Sequence, residues 1–328
     1  MSDSHAGSMH VLLADAGFGG RTLEYLSSMD TARLLLLGVL AGLAVVVMCG
    51  ALSVLVVVKR LGFVGQGVSH SAFGGIGVAA LLAAMGWLPG GPAGQLVQMA
   101  IVVVFCVGAA LGMAAASDRK RLPVDSSIGM FLVGSMALGA VLVQASHGVA
   151  ARAGRMSSAQ SWESILFGSI LAADRLDVIV GWSVAAIVLL AAWAVRRPML
   201  FWAFEEDSAR AFGVPAAAMK TVLMVLLALA VVVAMKLAGV VLATALLVLP
   251  GATALRVSDR LRPVMTISIL SGVAGLLGGL LLSVELDWQP GPSVVLVMTA
   301  VFVGACVVSA ARSRLAPKGE SGPARPSA

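Results

Sequence analysis

Apolar stretches, each close to the ~20 residues that cross a bilayer's hydrocarbon core as a helix, alternate along the chain with short polar or Pro/Gly-bearing intervals. They lie near 33–58, 67–88, 96–116, 128–146, 178–195, 216–237, 239–257, 264–284 and 291–311. The pattern predicts an all-α, polytopic membrane protein of about nine spanning helices, within a range of eight to ten. The intervals hold the expected breakers: Pro89 to Pro92, Asp118 to Pro123, Arg196 to Pro215, Arg260 to Pro263 and Asp287 to Pro292. The short alternating segments of a membrane β-barrel are absent. Residues 147–177 form the longest connection, and Ser161 to Leu171 suit a short surface or re-entrant helix with Trp162 as an interfacial anchor.

Composition agrees with this picture. The chain is 59% hydrophobic, has a mean hydropathy of +1.01 and is only 12% charged. Soluble domains carry about 25% charged residues. The net charge of +6 is spread in small clusters between apolar runs, which encodes topology and not a nucleic-acid surface. Sixteen of the 22 Lys and Arg fall on one side of the predicted spans, around Lys59, Arg119, Arg196, Arg256 and Arg312. That side is cytoplasmic, which puts the N-terminus outside and the C-terminus inside. Residues 1–30 form an extracytoplasmic segment without the features of a cleavable secretory signal. Residues 31–312 form the membrane domain, and 313–328 a Pro/Gly-rich tail expected to be disordered. Cys49, Cys106 and Cys306 sit inside apolar runs without paired spacing, as packing residues do.

Candidate chemistry concentrates at Arg60 to Gly75, where polar residues enter the second span. Ionisable and strongly polar groups are costly within a bilayer, so they point to function. His70 is a metal-ligand type, and Gln66 lies four residues earlier, on the same helical face. With Ser69 they suit the wall of a divalent-ion path, although a histidine that only hydrogen-bonds between helices fits the same spacing. Gly65 and Gly75 permit close helix approach.

Glu205, Glu206 and Asp207 suit the start of a short cytoplasmic helix, where acidic groups meet the helix dipole favourably. Ala209 and Arg210 fall within it and Gly213 ends it. Such a helix either docks a soluble partner or is a solvated loop. Pro250 and Gly251 follow a small-residue run and are expected to kink or break the seventh span. Glu285 and Asp287, at an outer span end, suit an ordinary interfacial loop. His5 and His10 give little support for a metal site. The chain lacks the Gly-x-x-x-x-Gly-Lys-Ser/Thr phosphate loop, and no nucleophile–base grouping can be traced, so it is expected not to be an enzyme.

These segments, in this order, resemble the zinc/manganese/iron class of ABC importer permeases. The family's pattern after its first span is Arg, then Gly-Asp-Ala-Leu-Ser-His-Ala-Ala-Leu-Pro-Gly. Arg60, Gly65, Ser69, His70, Ala72 and Gly75 match it, and Val68 is conservative. Gln66 stands where the family has Asp, Gly67 where it has Ala and Gly74 where it has Pro. A Leu-Phe-Gly-x-Ile-Leu element is met by Leu166, Phe167, Gly168, Ile170 and Leu171. The cytoplasmic Glu-x-Ala-Arg-x-Leu-Gly-Ile element resembles Asp207, Ala209, Arg210, Phe212, Gly213 and Val214. The family's Pro-Ala-Ala-Thr-Ala ending resembles Pro250, Gly251, Ala252, Thr253 and Ala254.

The resemblance implies a type II ABC importer permease in the bacterial cytoplasmic membrane. It implies a partner ATPase docked at residues 204–215, an extracytoplasmic metal-binding protein and a second permease copy. Zinc, manganese or iron would be cargo, with no tightly bound cofactor. Gln66 removes a hard anionic oxygen, which shifts this site from tight capture toward passage. A permease for an iron chelate or cobalamin would need a wider path and different motifs. A secondary transporter would usually carry intramembrane carboxylates, and none lies away from the span ends.

Overall fold

The structure is a computed structural model that describes residues 29–118, 123–152, 168 and 170–315. The N-terminal segment before Met29, the basic cluster Arg119 to Arg121, Trp162, Leu166, Phe167 and the tail after Leu315 lie outside the described residues. The helices are α1 (Met29–Val58), α2 (Gly62–Ala84), α3 (Gly91–Asp118), α4 (Val124–Arg152), α5 (Arg175–Ala194), α6 (Arg196–Phe204), α7 (Glu206–Ala211), α8 (Ala216–Val257), α9 (Leu261–Leu286) and α10 (Pro290–Leu315). A 3-10 turn at Ile170–Ala172 precedes α5. Of the predicted short helix at 161–171, only Gly168, Ile170 and Leu171 fall within the described residues.

Among the described residues, eight helices are long and apolar enough to cross a membrane, and one of them is long enough to do so twice. α8 has 42 residues, or about 63 Å at 1.5 Å per residue, against a hydrocarbon core of about 30 Å. It breaks at Gly239, whose φ of 82° and ψ of 164° are non-helical. The contacts of the two halves show that the chain reverses there. Before the break, Lys220 donates to Ser117 at the end of α3. After it, Val248 lies against Gly62 at the start of α2. Met113, one turn before Ser117, lies against Gly67, so Ser117 and Gly62 share one end of the bundle. At the opposite end, Lys236 pairs with Asp177 at 2.7 Å, while Gly168 abuts the Ala238–Gly239 backbone. The chain thus makes nine crossings among its described residues, and the predicted turn between spans six and seven is the break at Gly239.

Of the kink or break expected at Pro250 and Gly251, the helix shows no break there. Gly239 is the non-helical residue of α8, and the helix runs on through Pro250 to Val257. Packing against α1 and α9 holds this stretch. The Gly251 N–H donates to Ser53 Oγ at 2.8 Å, and a Cβ at Gly251 would lie 2.6 Å from the Ser53 carbonyl carbon. Ser268 Oγ donates to Gly50 O at 2.7 Å, which ties α9 to α1.

α1 and α8 form the core, with Met48, Leu52, Leu223, Leu227, Leu242 and Leu247 buried. α2 completes it, and its closest neighbour is α4, which runs parallel to it. Gly67 meets Ile128, Gly74 meets Ser135 O, and Gly77 and Gly139 meet backbone to backbone. Glycines let two helix axes approach in this way, where packing and not the hydrophobic effect holds helices together. Cys49 and Cys106 are buried free thiols, in keeping with packing roles.

Candidate functional site

Helix α2 starts at Gly62, one turn earlier than the apolar pattern suggests. Gln66 and His70 therefore lie one to two turns inside a spanning helix, toward its N-terminal end. At 100° per residue they project 40° apart on one face. Gln66 is exposed and His70 is partly exposed on this face. The His70 ring stacks on Phe73 with centroids 5.9 Å apart. Its Nδ1 is buried without a hydrogen-bond partner. Among the described residues, Trp202 Nε1 is the other buried side-chain nitrogen in that condition.

Ser69 does not join this face. It is fully buried, and its hydroxyl donates to the Gly65 carbonyl, so it points into the bundle. The packing reading of Gly65 and Gly75 fits their surroundings: a Cβ would lie 2.8 Å from Leu247 Cδ1 at Gly65 and 2.9 Å from Val102 Cα at Gly75. No group of three or more His, Cys, Asp or Glu comes together among the described residues.

The second candidate surface is α7, a single exposed turn-and-a-half between α6 and α8. Glu206 and Asp207 occupy its first turn. A C-terminal cap ends it: Val214 N donates to Ala209 O at 2.9 Å and Gly213 N to Arg210 O at 3.0 Å. Gly213 carries the positive φ of 82° that this cap requires. Ala209 is fully buried and anchors the helix. Glu205, Asp207, Arg210 and Phe212 are exposed, with Phe212 at 81%. Ser208 Oγ donates to Glu205 at 3.0 Å.

Glu206 turns inward and is shared by two cations. Lys59 Nζ reaches it at 2.7 Å and Arg210 at 2.6 Å. The hydrogen bond from Lys59 holds the Glu206 carboxyl below its ordinary range; partial burial opposes this, and Arg210 adds to it. A lowered folded-state pKa means that the pairing contributes at and above the ordinary carboxylate range. It is lost only as pH falls through the lowered value, so the Glu206 carboxylate is charged at neutral pH.

The Lys59 side chain is only 13% exposed and lies 4.2 Å over the Trp202 ring. Trp202 belongs to α6, which the sequence reading left inside a loop. Nine residues are too few to span a bilayer, yet Met199, Trp202 and Ala203 recur at helical spacing and all are buried. That spacing was the available signal.

The ABC 3 transport family model matches residues 31–309. The chain belongs to that family. It is 30% identical over 262 residues to the manganese transport system membrane protein MntC of Halalkalibacterium halodurans, covering 80% of this chain and 82% of that protein. It is 27% identical over 267 residues to the high-affinity zinc uptake system membrane protein ZnuB of Haemophilus influenzae, covering 80% and 93%. Among solved structures, PsaBC from Streptococcus pneumoniae in complex with Fab superposes with a TM-score of 0.71 at 26% identity, over 87% of this chain and 95% of that one. This ABC 3 family member is a multi-pass protein of the bacterial inner membrane.

Proposed function

We propose that this chain is the permease subunit of an ATP-driven importer of divalent transition-metal ions, manganese or zinc and alternatively iron. One observation carries the placement of the path: Gln66 is exposed and His70 partly exposed on one face of a spanning helix. An exposed amide and imidazole are costly against lipid, so this face belongs against a water-filled path or a second permease. One protomer supplies one amide oxygen and one imidazole, and a second copy would supply the same pair. A set without carboxylates, completed only between two copies, suits ions that must leave as readily as they enter. The metal is cargo, and high-affinity capture belongs to an extracytoplasmic binding protein.

ATP hydrolysis belongs to a partner ATPase docking on α7. Exposed Asp207, Arg210 and Phe212 on a short helix with a buried Ala209 anchor support that assignment.

Two variants test the proposal. His70→Ala in the assembled importer is expected to lower ATP-dependent uptake of radiolabelled manganese and zinc about tenfold or more, the scale on which disturbing a metal's surroundings acts. Unchanged accumulation would reduce His70 to a packing residue. Arg210→Glu is expected to insert normally and to uncouple ATP hydrolysis from uptake. Wild-type uptake in that variant would remove α7 from the coupling role.

A further inference from the structure

The turn between α1 and α2 is three residues long and carries its own hydrogen-bonded cap. Arg60 N donates to Val57 O at 3.1 Å and Leu61 N to Val56 O at 2.8 Å. Arg60 takes the left-handed conformation at φ 56° that this cap demands. Val64 N then donates to Leu61 O at 2.9 Å, so the turn passes without slack into α2. Lys59 stands at the first position of this turn, and its ammonium is held from outside α1 and α2 altogether. Its partners are Glu206 of α7 at 2.7 Å and the Trp202 ring of α6 at 4.2 Å.

We propose that Lys59 is a positioning residue through which a displacement of α7 is passed to the N-terminal end of α2, the helix that carries Gln66 and His70. This rests on the reading of α7 as the ATPase-docking surface and of α2 as a wall of the path. Three features favour a moving joint over a static brace. The ammonium is mostly withdrawn from water, so its loss leaves Glu206 without the one cation that comes from outside α7. Glu206 also pairs through its other oxygen with Arg210 of the same helix at 2.6 Å, so it keeps a cation when a docked partner moves α7 away from Lys59. Finally, the two buried nitrogens without partners among the described residues, Trp202 Nε1 and His70 Nδ1, lie at the two ends of this connection. An unsatisfied buried donor or acceptor is costly and marks positions where a second arrangement can gain a hydrogen bond.

The test uses the full-length importer, assembled with its ATPase and binding protein in liposomes. It reads manganese taken up per ATP hydrolysed. Lys59→Met and Glu206→Gln are each expected to lower that ratio about fivefold or more, the lower end of the usual allosteric coupling range, while hydrolysis continues. The double variant is expected to fall no further than either single one, since both remove the same joint. Lys59→Arg is expected to keep the ratio. A wild-type ratio in Glu206→Gln, whose side chain is 40% exposed and tolerates the change, overturns the proposal. So do single losses that multiply in the double variant. Retention of the ATPase during purification is scored separately with Phe212→Asp. If the ATPase still binds that variant at wild-type level, the docking surface is wrong; if it is lost there but the Lys59 ratio is normal, the joint is wrong.

Discussion

Replacing Gly239 with valine is expected to leave little or no folded permease in the membrane. Gly239 combines φ 82° with ψ 164°, a region open essentially to glycine, where another residue costs about 1–3 kcal/mol of backbone strain. The position is also closely packed. A Cβ on neighbouring Gly168 would lie 2.5 Å from the Ala238 carbonyl carbon, so the two segments meet with no side chain between them. The two halves of α8 carry much of the buried core, and moving the reversal moves both. Yield and melting behaviour by fluorescence-detected size exclusion provide the measurement. Gly213→Ala is the control: its φ is also 82°, but an added Cβ there meets nothing within 4 Å. That variant carries backbone strain of about 1–2 kcal/mol and is expected to fold. A monodisperse Gly239→Val protein with wild-type melting would contradict the reversal.

The same residue marks how far the sequence could be read. Apolar runs located the crossings because a bilayer demands about 20 apolar residues whatever packs beside them. The gap between the runs 216–237 and 239–257 placed a turn there, and Asp177 is the partner of Lys236 that the sequence could not name. The turn at Gly239 was thus legible, whereas the kink or break expected at Pro250 rested on a local signal alone. The helix runs on through Pro250, with Ser53 accepting from the Gly251 N–H. The Gln66–His70 face was legible from spacing alone, since i and i+4 share a helix face. The orientation of Ser69 was not, because a serine inside a helix can turn its hydroxyl back to the carbonyl four residues earlier, as Ser69 does toward Gly65. The Lys59–Glu206 pair joins residues 147 apart in sequence, and no local pattern encodes such a contact.

The position of the His70 face is fixed by the α2–α4 contact, so Gly139→Leu should cost both stability and transport. A Cβ at Gly139 would lie 2.6 Å from the Phe73 carbonyl carbon and 3.0 Å from the Gly74 amide nitrogen. Those atoms are backbone and cannot turn aside as a side chain would, so the helices must separate. Overpacking typically costs about 1–3 kcal/mol, and this contact belongs at the upper end or beyond. The expected fall in melting temperature is about 6–12 °C. Phe73, on which His70 stacks, sits at the point of collision, so manganese uptake should fall even in the fraction that remains folded. Gly134, on the same helix, separates this effect from helix propensity. A Cβ there meets nothing within 4 Å, so Gly134→Ala should be neutral or stabilise by about 0.5–1 kcal/mol. Equal melting temperatures for Gly139→Leu and Gly134→Ala would mean that the α2–α4 contact does not hold the path wall in place.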